Sequence, residues 1–71
     1  MARKLQLNMI LRNARHAKGW TMQRVADMVG VTNACISHWE TGKSIPRDHN
    51  LTAVCKALRV PVRQARELAA R

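Results

Sequence analysis

Apolar residues recur along the chain at the spacing of helices that bury one face. In the first stretch they occupy positions i, i+3, i+4 and i+7, namely Leu7, Ile10, Leu11 and Ala14. Because residues three and four apart share one side of a helix, this spacing predicts a first helix that ends before Gly19. No segment alternates apolar and polar residues with the period of a strand. The pattern therefore predicts an all-α protein.

The segment 21–41 predicts two short helices that cross at a tight turn. Thr21 is placed to cap the first of them and Thr32 the second, because a threonine hydroxyl accepts a hydrogen bond from an unpaired amide of the first turn. Gly30 lies between them, where a left-handed backbone costs least, and Gly42 is placed to end the second helix. The apolar residues expected to meet at the crossing are Val25, Ala26, Val29, Val31, Ile36 and Trp39. This arrangement is typical of a helix-turn-helix.

A loop and two further helices are predicted after this segment. The stretch 41–48 is polar and contains glycine and proline, which indicates a loop. The helical stripe of apolar residues then recurs at Leu51, Val54, Cys55 and Leu58. Pro61 suits the first turn of a last helix, whose apolar side is formed by Val62, Ala65, Leu68 and Ala69. We therefore expect one domain over residues 1–71, a compact five-helix bundle with its last two helices at about 47–70.

Charge narrows the range of partners. The 71 residues include 13 Lys and Arg against 4 Asp and Glu, so the formal charge is +9. Such a surface attracts polyanions, either nucleic acid or an anionic membrane, although it determines neither fold nor sequence preference. Gln6, Asn8 and Arg12 interrupt the stretch that a signal sequence requires, and no run approaches the roughly 18 apolar residues of a membrane span. We therefore expect a cytosolic protein.

The sequence offers little support for catalysis or metal binding. Cys35 and Cys55 lie at helical positions without a disulfide framework, and we interpret both as reduced core residues. Cys35, His38, His49 and Cys55 lack the two tight ligand pairs of a zinc motif, so we expect no metal and no cofactor. The few carboxylates are far apart and no glycine-rich phosphate loop is present. We expect neither enzymatic activity nor a small-molecule ligand.

The outward side of the predicted third helix carries no formal charge. Its residues are Asn33, Ala34, Ser37, His38 and Thr41. Side chains that are short and polar, or that bear a methyl group, can enter the major groove of DNA and contact base edges. On an isolated amphipathic helix the same residues would more simply form a solvated face.

A longer series of residues, from Leu11 to Val60, extends this interpretation. In order they are LRNAR at 11–15, GWT at 19–21, VA at 25–26, VGVT at 29–32, IS at 36–37, WETGK at 39–43, PR at 46–47, Leu51, AL at 57–58 and Val60. In this order and spacing the chain resembles the helix-turn-helix domains of lambdoid phage repressors and Cro proteins. Repressors of this group usually carry a C-terminal oligomerisation and cleavage domain, which we do not expect within these 71 residues, although a repressor truncated to its DNA-binding domain remains an alternative. The resemblance is therefore greatest to an all-helical Cro.

The resemblance implies a role for individual residues. It assigns base reading to Asn33, Ala34, Ser37 and His38. It assigns contacts with the DNA backbone to Arg12, Gln23, Thr32, Lys43, Ser44 and Arg47. Arg15 and Glu40 match positions that form an internal ion pair in similar repressors. Met22 stands where the family usually has a glutamine that touches a phosphate, so either the neighbouring Gln23 substitutes for it or the contact is missing.

The function implied is that of a transcriptional repressor in the cytoplasm of a bacterial host. It binds a pseudo-palindromic operator in double-stranded DNA as a homodimer. The resemblance places the dimer contacts after the third helix and in the last part of the chain, at Ile45, Pro46, Arg59, Val60, Val62 and Leu68. An antitoxin that binds DNA and also a partner toxin remains an alternative. A cationic membrane peptide is disfavoured because packing among the helices accounts for each apolar stripe.

Overall fold

The chain forms five α-helices in a computed structural model that describes residues 6–70. Their bounds are α1 Leu7–Lys18, α2 Met22–Val29, α3 Asn33–Thr41, α4 Asp48–Leu58 and α5 Val62–Ala69. The described residues contain no strand, so the predicted all-α class and five-helix architecture are confirmed. None of these helices is both long and apolar enough to cross a bilayer, since the longest, α1, has 12 residues.

The helix ends form as their capping residues predict. Thr21 Oγ1 accepts a hydrogen bond from the amide of Arg24 at 3.0 Å, and Thr32 Oγ1 accepts one from the amide of Cys35 at 3.2 Å. Gly30 has a φ of 88°, a left-handed conformation that a side chain would strain, and its amide donates to the carbonyl of Ala26 at 2.8 Å. The turn between α2 and α3 is therefore short and fixed by its own hydrogen bonds.

Every helix contributes to one apolar core. The buried apolar residues are Leu7, Leu11, Val25, Ala26, Ile36, Trp39, Leu51, Val54, Cys55, Leu58, Val60 and Ala65. Helix α3 packs against both α1 and α2, while α4 packs against α1, α2 and α5. Because α3 lies on two other helices, its inner side is held by Ile36 and Trp39 and its outer side remains accessible.

Two of the residues expected at the dimer contact are buried in the single chain. Pro46 is buried, and Val60 is only 8% exposed because its side chain packs in the core of the single chain. The amide of Val60 donates to the carbonyl of Cys55 at 2.8 Å, which folds the chain back over the end of α4. Val60 therefore offers almost no surface to a second copy, and Pro46 offers only the part that lines a cleft beside Ile45. The other four expected residues retain exposed surface: Ile45, Arg59, Val62 and Leu68.

The two cysteines differ in burial, and this difference predicts their reactivity. Cys55 is fully buried, and burial raises the pKa of its thiol, an effect only partly opposed by the nearby charge of Arg66. Cys35 is half-buried. Because the thiolate is the reactive form, we expect iodoacetamide at neutral pH to label Cys35 in the folded protein and Cys55 only after unfolding. Mass spectrometry after timed labelling, with and without urea, checks this, and rapid labelling of Cys55 in the folded protein would contradict it.

Candidate nucleic-acid interface

The outer face of α3 is exposed and uncharged. Asn33, Ala34 and His38 are exposed, and Ser37 is half-buried on the same side. Within residues 6–70, the side chains of Asn33 and His38 form no hydrogen bond, so their polar atoms are available to a ligand. The hydroxyl of Thr41 is occupied instead, because it donates to the carbonyl of Ser37 at 2.9 Å. The structure thus brings the four expected base-reading residues together on one helix.

The residue that caps α3 keeps a free donor. Thr32 Oγ1 accepts from the amide of Cys35, which uses one lone pair of the hydroxyl oxygen. The hydroxyl hydrogen can still donate to an external acceptor such as a phosphate oxygen. Since Thr32 is exposed, it is compatible with the DNA-backbone contact that the family resemblance implies.

A buried ion pair fixes the end of α3 to α1. Arg15 Nε lies 2.7 Å from Glu40 Oε2, and Arg15 Nη2 donates to Glu40 Oε1 at 2.9 Å. The two residues are only 9% and 6% exposed. Two parallel hydrogen bonds from one guanidinium restrain orientation as well as distance. The predicted pairing of Arg15 with Glu40 is therefore present, with both residues inside the protein.

Arg15 also reaches a third part of the chain. Its Nη1 donates to the carbonyl of Trp20 at 2.8 Å, so a single guanidinium joins α1, the turn before α2 and the last part of α3. The hydrogen bond with Glu40 raises the pKa of Arg15, against the opposing effect of burial. Because a raised pKa favours the charged form in the folded state, this contribution to stability persists at neutral pH and is lost only in strongly alkaline solution.

Asn8 holds the same end of α3, a role that sequence reasoning missed. Its Nδ2 donates to the carbonyl of Glu40 at 3.3 Å. The carbonyl of His38 accepts from the amides of Lys43 and Ser44 at 3.0 and 3.3 Å. These contacts satisfy carbonyls that a helix end leaves unpaired. They also fix the backbone of the loop that carries Lys43 and Ser44 relative to the outer face of α3. We call this face, formed by Asn33, Ala34, Ser37 and His38, the reading face.

Exposed basic and polar side chains surround α3. Arg12, Lys43, Ser44 and Arg47 are all exposed, as expected for residues that contact the DNA backbone. Gln23 is exposed as well, but its Nε2 donates to Asp27 Oδ1 at 2.9 Å along α2. A backbone contact by Gln23 therefore has to compete with this hydrogen bond.

Met22 lines a cleft between α1, α2 and α3. The cleft has a volume of about 200 Å³ and is lined by Arg12, Arg15, His16, Met22, Ser37, Glu40 and Thr41. Met22 is half-buried and packs against the core, so it gives the cleft an apolar wall where the family usually has a glutamine. The described residues contain no group of three His, Cys, Asp or Glu side chains that could hold a metal ion.

Helices α2 and α3 cross and are joined through Gly30, which has a left-handed backbone. The outer side of α3 is exposed. This arrangement defines a helix-turn-helix domain. The sequence profile of the helix-turn-helix family matches residues 11–65, which is more than half of the chain. The chain belongs to this family.

Solved structures agree with the resemblance to phage regulators. The P22 c2 repressor, crystallised in complex with synthetic operator 9T in the presence of Tl+, has a TM-score of 0.83 and 29% identity, and the match covers 87% of this chain and 94% of that one. ClgR from Corynebacterium glutamicum has a TM-score of 0.77 and 31% identity, with 90% of this chain and 68% of that one covered. The predicted similarity to lambdoid helix-turn-helix domains is confirmed.

Relatives found by sequence are regulators too. The transcriptional regulator ClgR of Mycobacterium tuberculosis is 36% identical over 53 residues, which are 75% of this chain and 47% of that protein. This chain thus spans about half the length of the curated relatives it matches. These relatives are transcriptional regulators rather than enzymes.

The buried pair predicts a large loss of stability when one partner is removed. Glu40→Ala is expected to lower the free energy of unfolding by about 3–5 kcal/mol, because the Arg15 charge stays buried without its partner. Asp48→Ala is the control, since it breaks the Arg66–Asp48 pair, whose side chains are 54% and 74% exposed, and should cost at most about 1 kcal/mol. Urea unfolding followed by circular dichroism measures both losses. Equal losses in the two variants would rule out a structural role for the buried pair.

Proposed function

We propose that this protein is a sequence-specific DNA-binding transcriptional repressor of the Cro type. In this proposal α3 lies in the major groove of an operator, a homodimer covers two half-sites, and repression follows from occupation of a promoter without a catalytic step. The protein acts on DNA in the cytoplasm of a bacterial host. The observation that carries the proposal is the uncharged outer face of α3, exposed and held at its end by a buried ion pair.

The chemistry of α3 suits recognition of base edges. The amide of Asn33 has the donor and acceptor needed for a bidentate contact with adenine, and the methyl group of Ala34 can pack on that of thymine. Ser37 and His38 carry groups that can donate or accept at several base edges. None of the four bears a carboxylate or an ammonium group, so their contacts depend on matching base edges rather than on charge.

In this proposal, residues around α3 contact the sugar-phosphate backbone. Lys43, Ser44 and Arg47 follow α3, and Arg12 lies beside it on α1. Thr32 and Gln23 supply neutral donors. A complex that neutralises about 6–10 phosphates loses affinity steeply as salt rises, and a chain with a formal charge of +9 is suited to that mode of binding.

An apolar surface next to the loop supports the proposed dimer. Ile45 is 57% exposed, and a cleft of about 360 Å³ beside it is lined by Ile45, Pro46, Asp48, Leu51, Arg66, Ala69 and Ala70. A second copy related by two-fold symmetry can place its own Ile45 against this cleft. Arg59, Val62 and Leu68 complete the proposed interface. Two recognition helices about 34 Å apart then meet half-sites one helical turn apart.

Base reading is tested by separating affinity from specificity. A preferred duplex is first selected from a random pool at two salt concentrations. Asn33→Ala is then expected to cost about 1–3 kcal/mol on the selected duplex and to relax preference at one base pair. Lys43→Ala should weaken binding to selected and scrambled duplexes by the same factor, because a phosphate contact is independent of sequence. Fluorescence anisotropy titrations measure both ratios, and equal losses on the two duplexes for Asn33→Ala would refute its base contact.

The dimer is tested with duplexes that carry one or two half-sites. Ile45→Asp is expected to reduce the advantage of two half-sites over one by about tenfold, in addition to the loss on a single half-site that a negative charge between Ser44 and Arg47 causes. The control is Met28→Asp, which places the same charge at a residue with similar exposure, 50%, on α2. Anisotropy titration and sedimentation velocity measure the advantage and the stoichiometry. An Ile45→Asp protein that keeps the full two-site advantage would exclude this interface.

A further inference from the structure

Two cations lie against one tryptophan in the turn between α1 and α2. Lys18 Nζ is 5.2 Å from the centroid of the Trp20 ring, and Arg24 Cζ is 5.0 Å from it. Both distances are within the range of cation–π attraction, about 6 Å. Trp20 is half-buried against the core, whereas Lys18 and Arg24 are exposed. One ring is therefore within cation–π range of two positive charges.

The position of this ring is fixed relative to α3. The carbonyl of Trp20 accepts from Arg15 Nη1 at 2.8 Å, and its amide donates to the carbonyl of Arg15 at 3.3 Å. The same guanidinium is bound to Glu40 near the end of α3. Lys18 and Arg24 thus belong to a site whose distance from the reading face is set by buried hydrogen bonds.

The two charges have no acidic partner in the part of the chain that the structure describes. The ion pairs found there are Arg15 with Glu40 and Arg66 with Asp48. Two like charges near one ring repel each other, and the ring offsets this only with the weak attraction of an aromatic face for an exposed cation. A phosphate group that both side chains can contact would offset this repulsion.

We propose that Lys18, Trp20 and Arg24 form a phosphate clamp that binds the DNA backbone next to the half-site read by α3. The proposal rests on the proposed function. The ring keeps the two cations ordered before binding, so less side-chain freedom is lost when they meet a phosphate. On binding, the cations turn from the ring toward the phosphate oxygens, and the surroundings of the Trp20 indole change.

A purely structural role makes a different prediction. Long basic side chains commonly cover apolar surface with their stems, and Lys18 and Arg24 would then shield the ring from water. Replacement of both by methionine retains an apolar stem over the ring and removes the two charges. The double variant Lys18→Met/Arg24→Met therefore distinguishes the effect of the two charges from the effect of shielding the Trp20 ring. Lys56→Met/Arg63→Met is the matched control, since it removes one Lys and one Arg from exposed positions on α4 and α5.

The decisive measurement is the dependence of DNA affinity on salt. The clamp variant is expected to lower the magnitude of the slope of log K against log salt by about 0.9 for each phosphate that the protein no longer neutralises, whereas the control variant leaves the slope unchanged. Equal slopes in the two variants would overturn the clamp. The ratio of affinities for selected and scrambled duplex tests the proposed function separately. A clamp effect without any preference between duplexes would support the clamp and refute sequence-specific repression.

Trp20 itself provides a second readout. The chain has two tryptophans, and Trp39 is only 6% exposed, so the difference between the unmodified chain and Trp20→Phe isolates the emission of Trp20. We expect duplex to change this emission in the unmodified chain and not in Lys18→Met/Arg24→Met. A change of the same size in that double variant would refute the clamp. Inorganic phosphate is titrated alongside: the same change at millimolar concentration identifies a site for single phosphates, and its absence identifies a site that needs the DNA backbone.

Discussion

The arrangement of the proposed DNA-binding face depends on the buried pair of Arg15 and Glu40. Transfer of two charges out of water is costly, and only good geometry with further hydrogen bonds compensates for it. Here the guanidinium binds both carboxylate oxygens and also the carbonyl of Trp20. No buried polar side-chain atom among residues 6–70 lacks a partner. Three segments that touch different parts of the proposed DNA site are therefore held in one arrangement.

Local signals in the sequence were sufficient to predict the fold. The helices follow from apolar periodicity, and the ends of α2 and α3 follow from Thr21, Thr32 and the glycines, because capping and left-handed turns depend on residues close together in the chain. The exposed residues of α3 could also be predicted from the sequence, because Ile36 and Trp39 define its inner side. The pairing of Arg15 with Glu40 came from the family resemblance alone. No periodicity links residues that are 25 positions apart.

The features that the sequence did not reveal are contacts between distant segments. Asn8 lies next to the apolar stripe of α1, and nothing nearby in sequence indicates that it binds the carbonyl of Glu40, 32 positions away. Val60 was expected at a dimer interface because the family resemblance places dimer contacts in the last part of the chain. Its burial depends on how the chain returns over the end of α4. The contact of Gln23 with Asp27 is different, because it joins neighbouring turns of α2, and it competes with the role that the family implies for Gln23.

The uncharged reading face on α3 and the basic residues around it differ in how much motion of α3 their DNA contacts tolerate. Long basic side chains such as Lys43 and Arg47 can follow a phosphate over a small displacement, so their contribution tolerates some motion of α3. A bidentate contact by Asn33 does not, because both of its hydrogen bonds require fixed distances and angles. A weaker ion pair between Arg15 and Glu40 would let α3 move relative to α1. It would therefore weaken base reading before it weakens attraction to the DNA backbone. The rigidity of the buried pair thus serves specificity more than affinity, even though the pair itself lies outside the proposed contact surface.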